Sequence, residues 1–284
     1  MSLVVVRPGP LSLVEDLGRP GYAAVGVSAS GAFDRAAHRT AAGLVGNDPR
    51  LAGVEVTLGG LAVRTTAEVM VALAGAECPA STPDGSAPWD AAFVLPAGAE
   101  LRLGLPVAGL RSYLAVAGGL VVPATLGSAS ADLLSGLGPA RLAAGDVLAV
   151  GRADYSRWEP APVPTDHRSI TLDLLPGPRT DWLFDPRLVA GEWTVSPDSN
   201  RIGVRLIGPA LLRVPQREGS ELPSEPLVRG AVQLPPSGQP VLFGPDHPTT
   251  GGYPVVAVLT EESSDRLAQC RPGAAVTLRW VPEA

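Results

Sequence analysis

The chain has 284 residues, of which 45% are hydrophobic, with 33 Gly, 30 Pro and a formal net charge of −6. Because Gly and Pro interrupt helices and suit the turns between short strands, this composition predicts a mainly β protein. The length exceeds that of one ordinary domain and favours two domains over one large β domain. The acidic balance, with no clustered basic stripe, argues against nucleic-acid binding.

Two features of the chain bear on its compartment. No apolar run approaches the roughly 20 residues that a membrane-spanning helix requires. The apolar stretch within the N-terminal MSLVVVRPGP is too short for a secretory signal peptide. We therefore expect a cytoplasmic protein that binds neither membranes nor nucleic acid and has small molecules or other proteins as partners.

The number and spacing of the cysteine, histidine and lysine residues exclude several kinds of catalytic and metal site. Cys78 and Cys270 lack metal-type spacing and are predicted to be buried thiols rather than a disulfide. His38, His167 and His247 form no HxH or HxxxH pair, so no metal site is predicted. All 22 basic residues are Arg. The lack of lysine excludes a P-loop lysine, a Schiff-base lysine and a biotinyl-lysine carried on this chain.

Short alternating apolar stretches recur along the chain and are typical of β-strands. They are LVVV near the start and residues 53–58, 69–75, 100–105, 111–116, 169–175, 192–195, 203–208, 254–259 and 275–281. Turn residues separate them at intervals of roughly 8–12 residues. This arrangement predicts barrels or sandwiches.

Helical patterns are few. The best candidate is FDRAAHRTAAGLVGN, residues 33–47, in which Asp34 falls in the first turn and is expected to cap the helix. Its predicted buried face consists of Phe33, Ala37, Thr40, Ala41 and Leu44. Two shorter helices are predicted at residues 179–185 and 262–270, as plugs or covers of β units.

A proline-rich stretch without periodicity, residues 151–166, separates the two strand-rich halves. It predicts a boundary near residues 155–165. The expected domains are residues 1–155 and residues 156–284.

Nine motifs follow one another in a characteristic order along nearly the whole chain. They are EDLGRPGY at 15–22, GVSASGAFD at 26–34, GLVGN at 43–47, EVTLGG at 55–60, SYLAVAGGL at 112–120, LGS at 126–128, SNRIGVRLIGP at 199–209, SEPLVRGAVQLPPSGQP at 224–240 and DHPTTGGYP at 246–254. Through these motifs and their order, the chain resembles the KipA-like carboxyltransferase family. This family includes allophanate hydrolase subunit 2 and the C-subunit of bacterial 5-oxoprolinase.

This resemblance implies two cyclophilin-like β-barrel units with a few short helices, and a KipI-like protein as partner. In the family's bacterial 5-oxoprolinase, these two proteins and a third, lactam-metabolising one use ATP, with Mg at the level of the complex, to open 5-oxoproline to glutamate. In its biotin-dependent relatives, the same pair of domains moves CO₂ from carboxybiotin to urea. The chain departs from the family pattern at Pro226, because many relatives have Gly after the Ser-Glu pair. The proline makes the local backbone stiffer.

The motif DHPTTGGYP concentrates hydrogen-bonding groups on permissive backbone. Thr249, Thr250 and Tyr253 offer hydroxyl donors, and Gly251 and Gly252 allow two successive N–H groups to point into one concavity. Opening or carboxylating an amide requires such donors, because its carbonyl oxygen gains negative charge. We therefore expect this segment to hold catalytic donors and substrate-binding backbone.

The same motif contains Asp246 and His247, either of which is a candidate for proton transfer. The alternative is a capped turn before a strand, with Asp246 bonding to its own backbone. A triad of Ser224, His247 and Asp246 has poor support, because an adjacent Asp and His rarely reach each other in triad geometry.

Three further places are candidates for substrate binding. Asp16 and Arg19 flank a turn, and the Arg is suited to capturing a carboxylate or phosphate unless the two side chains simply pair and pin the turn. Arg201 and Arg205 are expected on one strand face, which is either ligand-facing or solvated.

The third place is the bend at 216–226, where Ser224 and Glu225 supply a hydroxyl and a carboxylate that could line a cleft.

Three functions are compatible with the sequence. The first is the C-subunit of an ATP-dependent 5-oxoprolinase, forming an active site with its KipI-like partner. The second is the carboxyltransferase component of a urea or amide carboxylase, with biotin on another protein. The third is a non-catalytic antagonist that binds a KipI-like inhibitor of a sensor kinase.

Overall fold

The structure is a computed structural model that describes residues 1–153 and 170–282. The chain divides into two compact units. Of the described residues, the first unit contains 1–19, 30–132 and 136–153, and the second contains 20–29, 133–135 and 170–282. The predicted boundary near 155–165 lies outside the described residues, so the division at 155 stays a prediction.

The first unit is built from twelve short strands. They are β1 (Ser2–Pro8), β2 (Leu11–Glu15), β3 (Gly53–Thr57), β4 (Leu61–Thr65), β5 (Val69–Gly75), β6 (Ala80–Thr82), β7 (Gly85–Ser86), β8 (Ala92–Leu95), β9 (Glu100–Leu103), β10 (Arg111–Val116), β11 (Leu120–Val121) and β12 (Val147–Val150). One sheet has the order β11-β12-β1-β4-β9-β6-β7 and the other β2-β3-β10-β5-β8.

The two sheets of the first unit share one apolar core. Leu3 and Leu61 reach it from the first sheet, and Val14, Leu73 and Leu114 from the second. Alternating side chains of each strand point to the same face, so one buried face on each sheet is enough to form this core. The strand pattern predicted barrels or sandwiches, and the described strands of this unit form two hydrogen-bonded sheets that share one core.

Helix α1 (Arg35–Leu44) packs on the second sheet of this unit. Its N-cap is Asp34, whose carboxylate accepts a hydrogen bond from Ala37 N at 2.9 Å. This confirms the predicted capping role. Ala37, Thr40 and Ala41 are buried as predicted, because residues three and four apart lie on one face of a helix.

The second unit contains nine strands and the short helix α2 (Glu261–Arg266). The strands are β13 (Thr171–Pro176), β14 (Gly191–Val195), β15 (Gly203–Ile207), β16 (Glu225–Pro226), β17 (Ala231–Gln233), β18 (Val241–Phe243), β19 (Thr250–Gly251), β20 (Val255–Leu259) and β21 (Ala275–Trp280). Seven of them form a closed barrel in the order β13-β20-β17-β18-β15-β14-β21, which parallel pairing of β13 with β21 completes. The mainly β class is thus confirmed.

The two shorter helical predictions have different outcomes. Residues 262–270 form α2 followed by a 3₁₀ turn at Leu267–Gln269, close to the expectation. Residues 179–185 form only one 3₁₀ turn, Thr180–Trp182, and the longer helix predicted there is wrong. The segment is held by long-range contacts instead, including a hydrogen bond from the Thr180 hydroxyl to the carbonyl oxygen of Val256 at 2.7 Å.

Two further expectations concern thiols and membranes. Cys78 and Cys270 are both buried and free, as predicted. Among the described residues, every helix is too short or too polar to traverse a bilayer.

Candidate functional site

The segment DHPTTGGYP connects β18 to β20 in the second unit and is fixed along its length. The carbonyl oxygen of Thr249 accepts a hydrogen bond from Leu227 N at 2.9 Å. The next two residues form β19, which pairs with β16. The carbonyl oxygen of Tyr253 accepts a hydrogen bond from Gln233 Nε2 at 3.0 Å. The backbone of this polar segment is therefore immobilised before its side chains meet any ligand.

The two glycines of the segment differ in their surroundings. A Cβ on Gly251 would lie 2.6 Å from Gln233 Nε2 and 2.8 Å from Leu227 Cδ1, so a side chain there displaces a neighbour. A Cβ on Gly252 would have Leu222 O as its nearest contact, at 3.5 Å, which is ordinary van der Waals distance. Gly251 is thus required by packing, whereas Gly252 faces open space.

That space is a cavity of about 730 Å³ in the second unit. Gly252 and Tyr253 line it, and Tyr253 is 45% exposed. Most other walls are apolar, with Phe184, Leu212 and Leu222 among them. A mostly apolar recess with a few convergent polar groups is the usual form of a small-molecule site. We take the cavity as the candidate site.

Arg213 links two segments at the cavity through hydrogen bonds from its guanidinium. Its Nη1 donates to Ser220 O at 3.3 Å and its Nη2 donates to Leu234 O at 3.1 Å. Its guanidinium lies 5.7 Å from the ring centroid of the buried Trp182. Arg213 and the apolar walls were not predicted, because no periodic pattern or motif in the sequence distinguishes them.

Asp246 and Arg201 form a buried ion pair. Arg201 Nε donates to Asp246 Oδ2 at 2.9 Å and Arg201 Nη2 donates to Oδ1 at 3.0 Å. Leu133 N donates to Oδ2 as well, at 3.1 Å. The side chains of Asp246 and Arg201 are 0% and 1% exposed, so their charges compensate each other away from solvent. Neither residue lines the cavity.

Arg201 and Arg205 were expected on the same strand face, and this expectation is wrong. Arg205 lies within β15 and is exposed, whereas Arg201 is buried. The reason is that Arg201 precedes the strand, in a bend, so the alternation of a strand does not extend to it.

His247 is also buried, and its ring centroid lies 6.4 Å from that of Phe243. The Nδ1 atom is 2.8 Å from the carbonyl oxygen of Pro248, and since a carbonyl oxygen only accepts, a hydrogen bond here has its proton on Nδ1. The geometry gives no support to the triad, because Ser224 is exposed while Asp246 directs both carboxylate oxygens to Arg201.

Glu225 lies in β16 opposite Gly251, and its carboxylate binds Arg179. Arg179 Nε donates to Glu225 Oε2 at 3.1 Å, and Nη2 donates to Oε1. The hydrogen bond from Arg179 lowers the pKa of Glu225, and the same bond raises the pKa of Arg179. Arg179 is a second residue of this region that no sequence pattern singled out.

Asp16 and Arg19 lie in the first unit, where both hold the segment 125–130. Asp16 accepts hydrogen bonds from the hydroxyls of Ser128 and Ser130, each at 2.6 Å, and from Ala129 N at 2.7 Å. Arg19 donates to the carbonyl oxygens of Thr125, at 3.2 Å, and of Ser130. The turn is thus pinned both by these long-range contacts and by a local hydrogen bond from Gly18 N to Asp16 Oδ1 at 2.7 Å. Within the described part of the chain Asp16 and Arg19 bind these partners rather than each other, so the alternative of an Asp16–Arg19 pair is wrong.

Metal binding was not predicted for this chain. Within residues 1–153 and 170–282, no three His, Cys, Asp or Glu side chains are grouped so that they could hold a metal ion.

A mainly β fold with a closed barrel, and a fixed polar segment beside a mostly apolar cavity, define the class of protein: a β protein with a recess of the kind that binds small molecules. Residues 25–280 match the family described as "Carboxyltransferase domain, subdomain A and B". The chain belongs to this family.

Three similar proteins illustrate the range of the family. The chain is 38% identical to the 5-oxoprolinase C-subunit of Escherichia coli over 273 residues, which cover 94% of this chain and 87% of that protein. It is 31% identical to the urea amidolyase of Lachancea kluyveri, covering 98% of this chain but 17% of that protein. The crystal structure of the K. lactis urea amidolyase superposes with a TM-score of 0.89 at 27% identity, over 98% of this chain and 18% of that one.

Proposed function

We propose that this chain is the C-subunit of an ATP-dependent 5-oxoprolinase. The other two subunits are a KipI-like protein and a lactam-metabolising protein, and the complex acts in the cytoplasm. The observation that carries the proposal is the 38% identity to the Escherichia coli C-subunit over 94% of this chain and 87% of that protein. A match over most of both chains favours a shared role more strongly than a match to a small part of a larger enzyme does.

The proposed reaction opens the lactam ring of 5-oxoproline. Water adds to the lactam carbonyl, the C–N bond breaks, and the ring nitrogen takes a proton to become the amino group of glutamate, while the complex hydrolyses ATP to ADP and phosphate. The carbonyl oxygen carries negative charge along the way, so fixed donors beside it accelerate the step. Tyr253 lines the cavity and carries a hydroxyl, which supports this role. The hydroxyls of Thr249 and Thr250 and the backbone of Gly251 and Gly252 are further proposed donors.

For proton transfer we propose His247 rather than Asp246. Both oxygens of Asp246 already accept hydrogen bonds from Arg201, and this pair fixes the start of the segment that leads to Tyr253. An ion pair of this kind is suited to positioning a loop rather than to exchanging protons. Ser224 and Glu225 are proposed to border the substrate from the side of β16. Asp16 and Arg19 hold the segment 125–130 of the first unit and Arg201 binds Asp246, so a direct substrate contact at the cavity is not proposed for these three residues.

ATP is proposed to bind elsewhere in the complex, on one of the partner proteins. The cavity carries Glu218 and Glu221, and two nitrogens of Arg213 are engaged by carbonyl oxygens. Such a charge distribution does not suit a triphosphate, which favours Arg-rich or Lys-rich surroundings. Mg²⁺ would accompany ATP there.

The direct test is reconstitution. The chain and its KipI-like and lactam-metabolising partners, purified from one organism, are mixed with ATP, Mg²⁺ and 5-oxoproline, and glutamate release is measured. Release should require all three proteins and ATP. Absence of glutamate from a complex whose assembly has been verified by size-exclusion chromatography would contradict the proposal.

A second candidate function is the carboxyltransferase component of a biotin-dependent urea or amide carboxylase, which the 31% identity to the Lachancea kluyveri urea amidolyase supports. Because this chain contains no lysine, biotin would arrive on another protein. Avidin separates the two functions: it should abolish ATP- and bicarbonate-dependent urea carboxylation but leave 5-oxoproline opening unchanged.

A further inference from the structure

The segment Gly251–Val255 of the second unit, which carries both cavity-lining residues of DHPTTGGYP, is tied at each end. At its start, Gly251 pairs with Glu225 in the ladder between β19 and β16. At its end, the carbonyl oxygen of Val255 accepts a hydrogen bond from Arg179 N at 2.9 Å. Gly252 and Tyr253 lie between these two attachments and face the cavity.

Arg179 contacts both attachments. Its backbone N–H binds Val255, and its guanidinium binds the carboxylate of Glu225 through two hydrogen bonds, one of them 3.1 Å long between Nε and Oε2. The backbone and side chain of Arg179 therefore close a ring of contacts that contains residues 251–255. A planar guanidinium that binds a carboxylate at two points fixes orientation as well as distance.

A third contact lies inside the ring. The buried Gln233 donates from Nε2 to Tyr253 O at 3.0 Å, and Leu234 N donates to Pro254 O at 2.9 Å. The main chain of Tyr253 is thus held from behind, whereas its side chain is 45% exposed beside the cavity. Rotation of the side chain is the principal freedom that these contacts leave to Tyr253.

We infer that Arg179 is a positioning residue of the site: with Glu225 and Gln233 it fixes the backbone that presents Gly252 and Tyr253 to the cavity. The inference rests on the proposed function for the reaction that this geometry serves. Arg179 and Glu225 keep 36% and 25% of their side chains exposed, and ion pairs this exposed contribute little to global stability. The ion pair of Arg179 and Glu225 acts on the local backbone geometry instead. Catalysis is sensitive to such geometry, because a displacement of about 1 Å in a reacting or donor group slows the reaction strongly.

The test compares Arg179→Gln, Arg179→Lys and the native chain. Hydrogen exchange of the peptide containing residues 249–255, measured on the isolated chain, should be at least about tenfold faster in Arg179→Gln. It should be intermediate in Arg179→Lys, because a Lys keeps the charge but not the two-point contact. In the reconstituted three-protein complex, kcat for 5-oxoproline opening should fall about 10- to 100-fold in Arg179→Gln, with a smaller change in KM.

Arg187→Gln is the matched control. Arg187 also binds a carboxylate in the same unit through two hydrogen bonds, to Asp185 at 2.9 and 2.8 Å, and both of these residues lie outside the Gly251–Val255 segment. This variant should leave the exchange of 249–255 and kcat unchanged.

Native-like exchange of 249–255 in a folded Arg179→Gln protein overturns the inference, as does an equal response in Arg187→Gln. The exchange result is independent of the proposed function: a complex that releases no glutamate refutes the function, while faster exchange in Arg179→Gln still supports the positioning role.

Discussion

Arg201 and Asp246 meet through two parallel hydrogen bonds, of 2.9 and 3.0 Å, with both side chains removed from solvent. The two residues lie 45 positions apart in the chain. Their contact joins the bend before β15 to the start of DHPTTGGYP, so the segment that ends at the cavity begins at a fixed point.

Asp246→Asn should destabilise the protein strongly. The substitution removes the carboxylate charge that faces the buried guanidinium of Arg201, and breaking a buried ion pair in this way costs about 3–5 kcal/mol in the free energy of unfolding. Urea denaturation followed by circular dichroism measures this cost. Asp185→Asn, which breaks the exposed pair with Arg187, should change the free energy of unfolding far less, because solvent screens an exposed pair. If both variants lost the same free energy of unfolding, the buried pair would contribute no more to stability than the exposed pair does.

Gly251→Ala and Gly252→Ala should differ although the residues are adjacent. At Gly251 the new methyl group lies 2.6 Å from Gln233 Nε2, so either the hydrogen bond of Gln233 to Tyr253 breaks or the backbone shifts. We expect a loss of about 1–3 kcal/mol in the free energy of unfolding for Gly251→Ala. Gly252→Ala should stay within about 0.5 kcal/mol of the native chain. A reversal of this order in urea denaturation would contradict the packing around Gly251.

Tyr253→Phe tests the donor at the cavity. The exposed hydroxyl makes no hydrogen bond within the described residues, so its removal should change the free energy of unfolding by about 0.5 kcal/mol or less. In the reconstituted complex, kcat should fall on the order of 10²-fold if the hydroxyl stabilises the oxyanion. Native kcat with a raised KM would assign the residue to binding alone.

Asp90 makes the stability of the protein depend on pH. Burial raises the pKa of Asp90 to about 6, and the charge of Glu77 adds to the effect. An unfolded Asp titrates near a pKa of about 3.9, so the folded state binds the proton more tightly. Ionisation of Asp90 therefore lowers the free energy of unfolding as pH rises from about 4 to about 6, by roughly 1 kcal/mol once solvent screening is allowed for.

Asp90→Asn should remove this loss. Asn also suits the backbone, where φ is 51°, because a short polar side chain tolerates the left-handed region. The measurement is the difference in unfolding free energy between variant and native chain at a pH of about 4 and a pH of about 7, on either side of the titration. The variant should gain stability relative to the native chain between these values, and a constant difference would refute the pKa shift.

Local patterns were enough to predict much of the fold. The capping of α1 by Asp34, the apolar face of that helix and strands such as β5, β10 and β21 depend on residues close together in sequence, where spacing decides which side chains share a face. The strands β2 and β4 have five residues each and were nevertheless not predicted. The strands β16 and β19 have two residues each, too few for any period, and were not predicted.

The site was less predictable, for a related reason. The motif DHPTTGGYP indicated which segment carries polar groups, and Gly252 and Tyr253 do line a cavity. It could not indicate that Asp246 binds Arg201, or that Glu225 binds Arg179 across 46 residues. Any arginine in the chain has a charge that suits a carboxylate, and only the closed barrel decides which of them meet.

The hydrogen bonds of Asp16 with Ser128 and Ser130 constrain how the first unit is made in a cell. Asp16 leaves the ribosome early, but the hydroxyls that satisfy it follow 112 and 114 residues later. At typical synthesis rates of about 5–20 residues per second, the two serines are synthesised about 6 to 23 seconds after this carboxylate. Until then the turn at EDLGRPGY cannot reach its final form, and the nascent chain is open to chaperones and proteases during that interval.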